Sequence, residues 1–189
     1  MKVLFIDAKK VGLLTVTIMC MAFLFYLGGI FQTKEVVETV GGYKEYSINE
    51  GEIKYSLPEK WETNLRIFDG GEITYHNEFF SEDNQIRGFI QVWSKPNDLK
   101  LFLEESKGVA EKQGSTKNYN IKNTLIKEKE AYIVTYNVEL GGSEIYSAYE
   151  TFIKYKNGFL RVSFYFKKDT KEEEVLKEID IIVNSLKMK

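Results

Sequence analysis

One histidine, His76, and one cysteine, Cys20, bound the chemistry open to this chain of 189 residues. A Ser-His-Asp or Cys-His arrangement would have to be built on that histidine, and a zinc site needs three or four nitrogen or sulfur ligands that the chain does not own. His76 lies in Ile73-Thr74-Tyr75-His76-Asn77-Glu78, where strand alternation puts it with Thr74 and Glu78 on the face opposite Ile73 and Tyr75. It is expected to be a solvated strand residue. Cys20 sits inside an apolar run, and the preceding Thr17-Ile18-Met19 lack the approach a lipidation signal requires, so it reads as filler. Glu82 and Asp83 carry oxygens suited to calcium, without the D-x-[DN]-x-[DN]-G loop that would arrange them. The pairs Gly41-Gly42, Gly70-Gly71 and Gly141-Gly142 lack the Lys-Ser/Thr that follows a phosphate loop and read as turns. No catalytic residue, cofactor or metal is assigned on this basis. Asp and Glu remain plentiful, so an envelope hydrolase or transferase working with carboxylates alone is the rival to a non-enzymatic reading, with a lipid-carrying or small-ligand sensing module as a third.

Ten aromatic residues lie between 132 and 166: Tyr132, Tyr136, Tyr146, Tyr149, Phe152, Tyr155, Phe159, Phe164, Tyr165 and Phe166. About half are expected in a core and the rest on a sheet's second face. The sharper alternative is an exposed aromatic surface for a glycan or protein partner.

The elements that hold these residues begin with a charge-free run, Val11 to Phe31. At about 1.5 Å of rise per residue it spans roughly 30 Å as a helix, the thickness of a bilayer's hydrocarbon core. Lys2, Lys9 and Lys10 precede it against Asp7 alone, which predicts a cytoplasmic amino terminus (residues 1–10), a transmembrane helix (11–31) and an extracytoplasmic remainder. A cleaved signal is the competing reading, and the run is not followed by an A-x-A site. Beyond residue 31 there are 23 basic and 27 acidic residues, a balance that argues against nucleic acid and against anionic lipid surfaces. That part has no cysteine and no N-x-[ST] acceptor, and the chain prefers Lys to Arg, features that suit a bacterial cell envelope.

Residues 32–42 read as a connector and 43–189 as one domain. Two strands flank the turn Asn49-Glu50-Gly51, the second ending at Leu57-Pro58; Glu72 to Phe80 and Ile86 to Trp93 form a hairpin. Pro96-Asn97-Asp98 opens a helix with Leu99, Phe102, Leu103, Ser106, Val109 and Ala110 on one stripe, stopped by Gly114. A strand near Tyr119 to Leu125 precedes an antiparallel meander: Tyr132 to Leu140, Glu144 to Tyr155, and Leu160 to Lys167 after an Asn157-Gly158 turn. Thr170-Lys171-Glu172-Glu173 reads as a capping box for a final helix presenting Val175, Leu176, Ile179, Ile182, Val183 and Leu186. The acidic run Glu172-Glu173-Glu174 then answers the positive end of that helix.

The segment Ile53-Lys54-Tyr55-Ser56-Leu57-Pro58-Glu59-Lys60-Trp61, a strand running into Pro-x-x-Trp, together with the hairpin, helix, meander and closing helix, resembles the PsbP-like proteins, the family of the extrinsic photosystem II subunit and the Mog-type Ran-binding proteins. The resemblance implies an α+β fold, an antiparallel β-sheet with helices packed on it as an α/β/α sandwich, across residues 43–187. It also implies a binding or assembly role. The expected partners are the lipid bilayer through residues 11–31 and an envelope protein, with no nucleic acid.

Overall fold

Left-handed turns and alternating apolar residues set the strand boundaries of the domain. The computed structural model describes residues 38–68, 71–96, 98–114, 116–140, 144–168 and 170–189. The run 11–31 with Cys20, the start of the connector and Gly141-Gly142 lie outside the described residues. Among those described, no helix is long and apolar enough to cross a membrane.

A four-stranded sheet has the order β1-β2-β3-β11, with β1 (Glu38–Val40), β2 (Tyr43–Ile48), β3 (Ile53–Pro58) and β11 (Lys187–Met188). Residues 38–40, expected to be connector, fold back on Tyr43 to Glu45 because Gly41 and Gly42 take φ of +62° and +82°, which glycine adopts without steric cost. The β2–β3 turn uses the same region at Asn49, Glu50 and Gly51. On β3 the period of two is strict: Ile53, Tyr55 and Leu57 are fully buried.

The larger sheet runs β4-β5-β6-β10-β9-β8-β7, every neighbouring pair antiparallel, from β4 (Glu62–Arg66), β5 (Ile73–Phe80), β6 (Ile86–Trp93), β7 (Thr116–Ile126), β8 (Lys129–Leu140), β9 (Glu144–Tyr155) and β10 (Gly158–Lys167). One face carries Phe79, Ile90, Leu160, Val162 and Phe164 into a core shared with Tyr55 and Leu57 of the small sheet. Helix α2 (Glu172–Ser185) closes that core with Val175, Ile179 and Ile182. Helix α1 (Leu99–Gln113) lies on the other face, where Phe102 meets Trp93 and Phe159 at ring-centroid distances of 6.2 and 5.3 Å. The order of layers is therefore α1, the seven-stranded sheet, then α2 beside the small sheet. The α+β expectation of an antiparallel sheet with a helix on each side holds, with β1–β3 and β11 added to one outer layer.

Both helices start where a side chain or backbone can meet their free amides. Asp98 accepts from the Leu101 amide at 2.9 Å, and Gly114 ends α1 at φ +68°. Only Leu99, Phe102 and Leu103 of its predicted stripe are buried; Ser106, Val109 and Ala110 are half-buried. The predicted capping box is corrected: α2 begins one residue later, with Lys171 at its amino-terminal cap and no side-chain capping bond. The Thr170 amide already donates to the Lys167 carbonyl at 3.0 Å, so it offers Glu173 nothing, and Glu173 pairs with Lys177 instead. The Asn157-Gly158 turn also shifts. Tyr155 pairs directly with Gly158, leaving Lys156, at φ +51°, and Asn157 as the turn. Gly158 opens β10 for a different reason: a Cβ there would fall 1.8 Å from the Trp93 carbonyl oxygen.

Candidate functional site

Register across the larger sheet builds a polar seam on the face under α1. Arg66, His76, Gln91, Arg161, Phe152 and Tyr132 follow one another across strands in one row. Glu78, Phe89, Ser163, Glu150 and Val134 form the next row. His76, Gln91, Glu150, Arg161 and Ser163 are all at most 3% exposed. The expectation of a solvated His76 is therefore overturned. Phe68 meets its ring edge-on at 5.0 Å and Phe89 stacks at 5.3 Å, so its strand face is covered rather than wet.

Two networks run through this seam and leave His76 Nε2 and Arg161 Nε without a hydrogen bond. In the first, Trp93 Nε1 donates to Gln91 Oε1 at 2.9 Å, which leaves the Gln91 amide nitrogen, 2.7 Å from His76 Nδ1, as a donor. His76 Nδ1 must then accept, and the neutral ring carries its proton on Nε2, facing Glu78 Oε1 at 3.4 Å. Arg66 Nε lies 2.7 Å from Glu78 Oε2, an ion pair by distance whose N–H is not aimed along the contact. Burial lowers the His76 pKa, and Glu78 only partly offsets it.

In the second network, Glu150 Oε1 accepts from Arg161 Nη2 and Tyr165 Oη, both at 2.6 Å, from Tyr136 Oη at 3.1 Å and from Ser163 Oγ at 3.2 Å. The Arg161 guanidinium lies between the Phe89 and Phe152 rings, 4.9 and 5.3 Å from their centroids. Burial alone would lower the Arg161 pKa; beside Glu150 the net shift is upward. Burial, then the Glu150 charge, pushes the Tyr136 and Tyr165 phenols well above their ordinary range. Every donor aimed at Glu150 comes from the protein, and the charges of Arg66 and Arg161 balance those of Glu78 and Glu150. Chemically this is a brace, since His76, Glu78, Gln91, Glu150, Arg161 and Ser163 are buried and pair with one another. Removing one partner of such a buried pair typically costs about 3–5 kcal/mol.

The open candidate lies elsewhere, where β2, the β3–β4 turn, the β5–β6 loop and the first turns of α2 border a groove of about 730 Å³. Pro58, Trp61, Ile86 and Val175 are its apolar floor, and Glu82, Asp83, Glu174 and Glu178 stand along it against Lys171. Pro-x-x-Trp is a tight turn here: the Trp61 amide donates to the Pro58 carbonyl at 3.0 Å, and the indole packs on Phe79 at 5.4 Å. Asp83 shapes the β5–β6 loop by accepting from Ser81 Oγ at 2.6 Å and the Gln85 amide at 3.1 Å. Those two bonds hold its carboxyl below the usual range, Ser81 contributing most, so it is an anion and not a proton donor. On the other wall, Tyr43 Oη donates to Glu178 Oε1 at 3.2 Å. Burial and then Glu178 raise the Tyr43 pKa.

Of the residues singled out in sequence, the structure gathers Pro58, Trp61, Glu82, Asp83 and Glu174 in the groove. His76 lies apart, in the buried seam. The aromatics lie in the core and on the sheet's covered second face, as expected, and not on the alternative exposed surface: Tyr146 and Tyr149 are half-buried and the other eight of the ten are buried. No group of three His, Cys, Asp or Glu side chains is arranged for a metal among the described residues. Sequence reasoning missed Glu150, Arg161, Tyr136 and Tyr165. The available signal was Arg161, one of only three arginines, set in mid-strand between Leu160 and Val162.

No protein-family model matches the chain, and no curated protein matches it in sequence. Solved structures do. Cyanobacterial PsbP (CyanoP) from Synechocystis sp. PCC 6803 superposes with a TM-score of 0.54 at 12% identity, covering 86% of this chain and all of that one. The Saccharomyces cerevisiae Ran-binding protein Mog1p gives 0.52 at 9% identity, over 77% of this chain and 95% of that one. A Bacteroides thetaiotaomicron protein gives 0.52 at 13% identity over 78% of this chain, which spans about half (49%) of that protein. The domain thus has the PsbP-like fold expected from its strand, Pro-x-x-Trp and meander order. At these identities the likeness carries the fold and no site residue.

Proposed function

We propose that this protein is a single-pass, membrane-anchored binding or assembly module of the bacterial cell envelope, without catalytic activity, that holds its groove on the extracytoplasmic side for another envelope protein. The observation that carries this reading is the contrast between the two polar regions. The buried one is centred on Glu150, whose four hydrogen-bond donors all come from the protein, while the open one is a groove with an apolar floor. An active site would need its perturbed groups where substrate can reach them. Here the strongly shifted Arg161, Tyr136, Tyr165 and Tyr55 are buried, the half-buried Tyr119 is stacked on Tyr136, and the accessible Asp83 is stabilised as an anion. The charge-free run 11–31 with lysines ahead of it supports the anchor and its orientation. The fold supports the binding role through Mog1p, described as Ran-binding.

The test is site-specific photo-crosslinking in intact cells, with the photoreactive residue at Glu82 or Gln85 in the groove and at Leu125 on the far edge strand. A discrete protein adduct from the groove positions, absent from Leu125, is the expected outcome. Adducts of equal yield from all three positions, or none from the groove, would refute it.

A further inference from the structure

The occupant of the groove has a chemistry of its own, and naming it rests on the reading that the groove is the docking face. The lining residues carry four carboxylates, Glu82, Asp83, Glu174 and Glu178; Lys171 pairs with Glu174 at 3.0 Å and the exposed Lys60 with Glu82 at 3.2 Å, which leaves an excess of two negative charges. These charges sit on two separate walls. Glu82 and Asp83 belong to the β5–β6 loop, while Glu174 and Glu178, one helical turn apart, share a side of α2. Between the walls the floor is apolar, with Trp61, Ile86 and Val175 buried and Pro58 half-buried. Thr170, whose Oγ1 has no hydrogen-bond partner, lines the same wall as Glu174.

An anionic or phosphate-bearing occupant would be repelled by both walls. A wholly apolar one would strip water from carboxylates and return no hydrogen bond. A lysine or arginine side chain meets both demands at once, since its methylene stem covers apolar floor while its head reaches the carboxylates at the rim. We propose that the groove receives a Lys- or Arg-bearing extended segment of a partner protein. The cationic heads pair with Glu82 and Asp83 on one side and Glu174 and Glu178 on the other. Carboxylates in two walls favour a segment that lies along the groove over one that inserts end-on.

The experiment uses the full chain in phosphatidylcholine nanodiscs, whose neutral lipid does not itself attract basic peptides. Fluorescence anisotropy compares a short labelled Lys–Ala peptide with its Glu–Ala counterpart. The Lys–Ala peptide is expected to bind in preference and to weaken as salt screens the pairs. Glu82→Gln with Glu178→Gln should cut its affinity about fivefold or more, whereas Glu104→Gln with Glu111→Gln, which removes the same charge from exposed positions on α1, should change it less than about twofold. Equal binding of the two peptides, or equal losses in the two double variants, would overturn the proposal. Crosslinks from Glu82 that persist while the Lys–Ala peptide fails to bind would overturn the cationic occupant and leave the docking face standing. Loss of the crosslinks as well would remove both.

Discussion

A second proton on His76 has nowhere to go. Nδ1 faces the Gln91 amide, which cannot turn its oxygen inward without opposing the Trp93 N–H, and Phe68 and Phe89 exclude water. Glu78 offers partial compensation, and the neighbouring Arg66 and Arg161 oppose a further positive charge. The folded-state pKa is therefore below the unfolded value, and the unfolded chain binds the extra proton first. Stability should be full above about pH 6.5 and fall as pH drops through that value toward the folded pKa, by at most about 1.4 kcal/mol per pH unit for one proton. Denaturant titrations between neutral and mildly acidic pH measure this slope, and in His76→Gln it should become shallower. An unchanged slope in the variant would mean that the histidine is hydrated or already charged.

At the scale of elements, the β6–β10 pairing depends on close approach. A Cβ on Gly88 would fall 2.0 Å from the Ser163 carbonyl oxygen and into the Phe79 ring, which covers the gap together with Phe164. Overpacking of this kind costs about 1–3 kcal/mol and occasionally more, and collision with backbone leaves little room to relax. Gly88→Ala is expected to lower the unfolding free energy by about 3 kcal/mol; a change within about 0.5 kcal/mol would show that the strands separate easily. The strands themselves were legible, because Leu160, Val162, Phe164 and Phe166 keep a period of two that only a strand presents to one core. What alternation could not show is that the opposite set, Phe159, Arg161, Ser163 and Tyr165, is buried too. That burial comes from Phe102 of α1 on Phe159 and from the Phe89 and Phe152 rings beside Arg161 and Tyr165, a matter of tertiary packing that leaves no periodic mark. The displaced hairpin turn and the missing capping box are slips of a single residue, each decided by one backbone bond, Tyr155 with Gly158 and Thr170 with Lys167.

Across the whole molecule, the groove was the least legible feature, since its floor and walls come from residue 42 to residue 178 and no local pattern joins them. Pro58 and Trp61 announced themselves through a motif whose role proved to be a turn that lays an indole against Phe79, and Glu82, Asp83 and Glu174 only as carboxylates without a shared pattern. In the proposed reading the seam is a brace and the groove the working surface, with the charge-free run from Val11 to Phe31 proposed as the anchor that keeps the groove outside the cell. Cys20 is the sole native thiol, so its replacement by serine leaves a background in which one new cysteine reports on one place. Glu82→Cys in Cys20→Ser, treated with a membrane-impermeant maleimide on intact protoplasts, tests orientation and openness of the groove together. The account predicts labelling before lysis at a rate matching that of an exposed control such as Leu125→Cys. Reaction of Glu82→Cys only after the membrane is broken would contradict it.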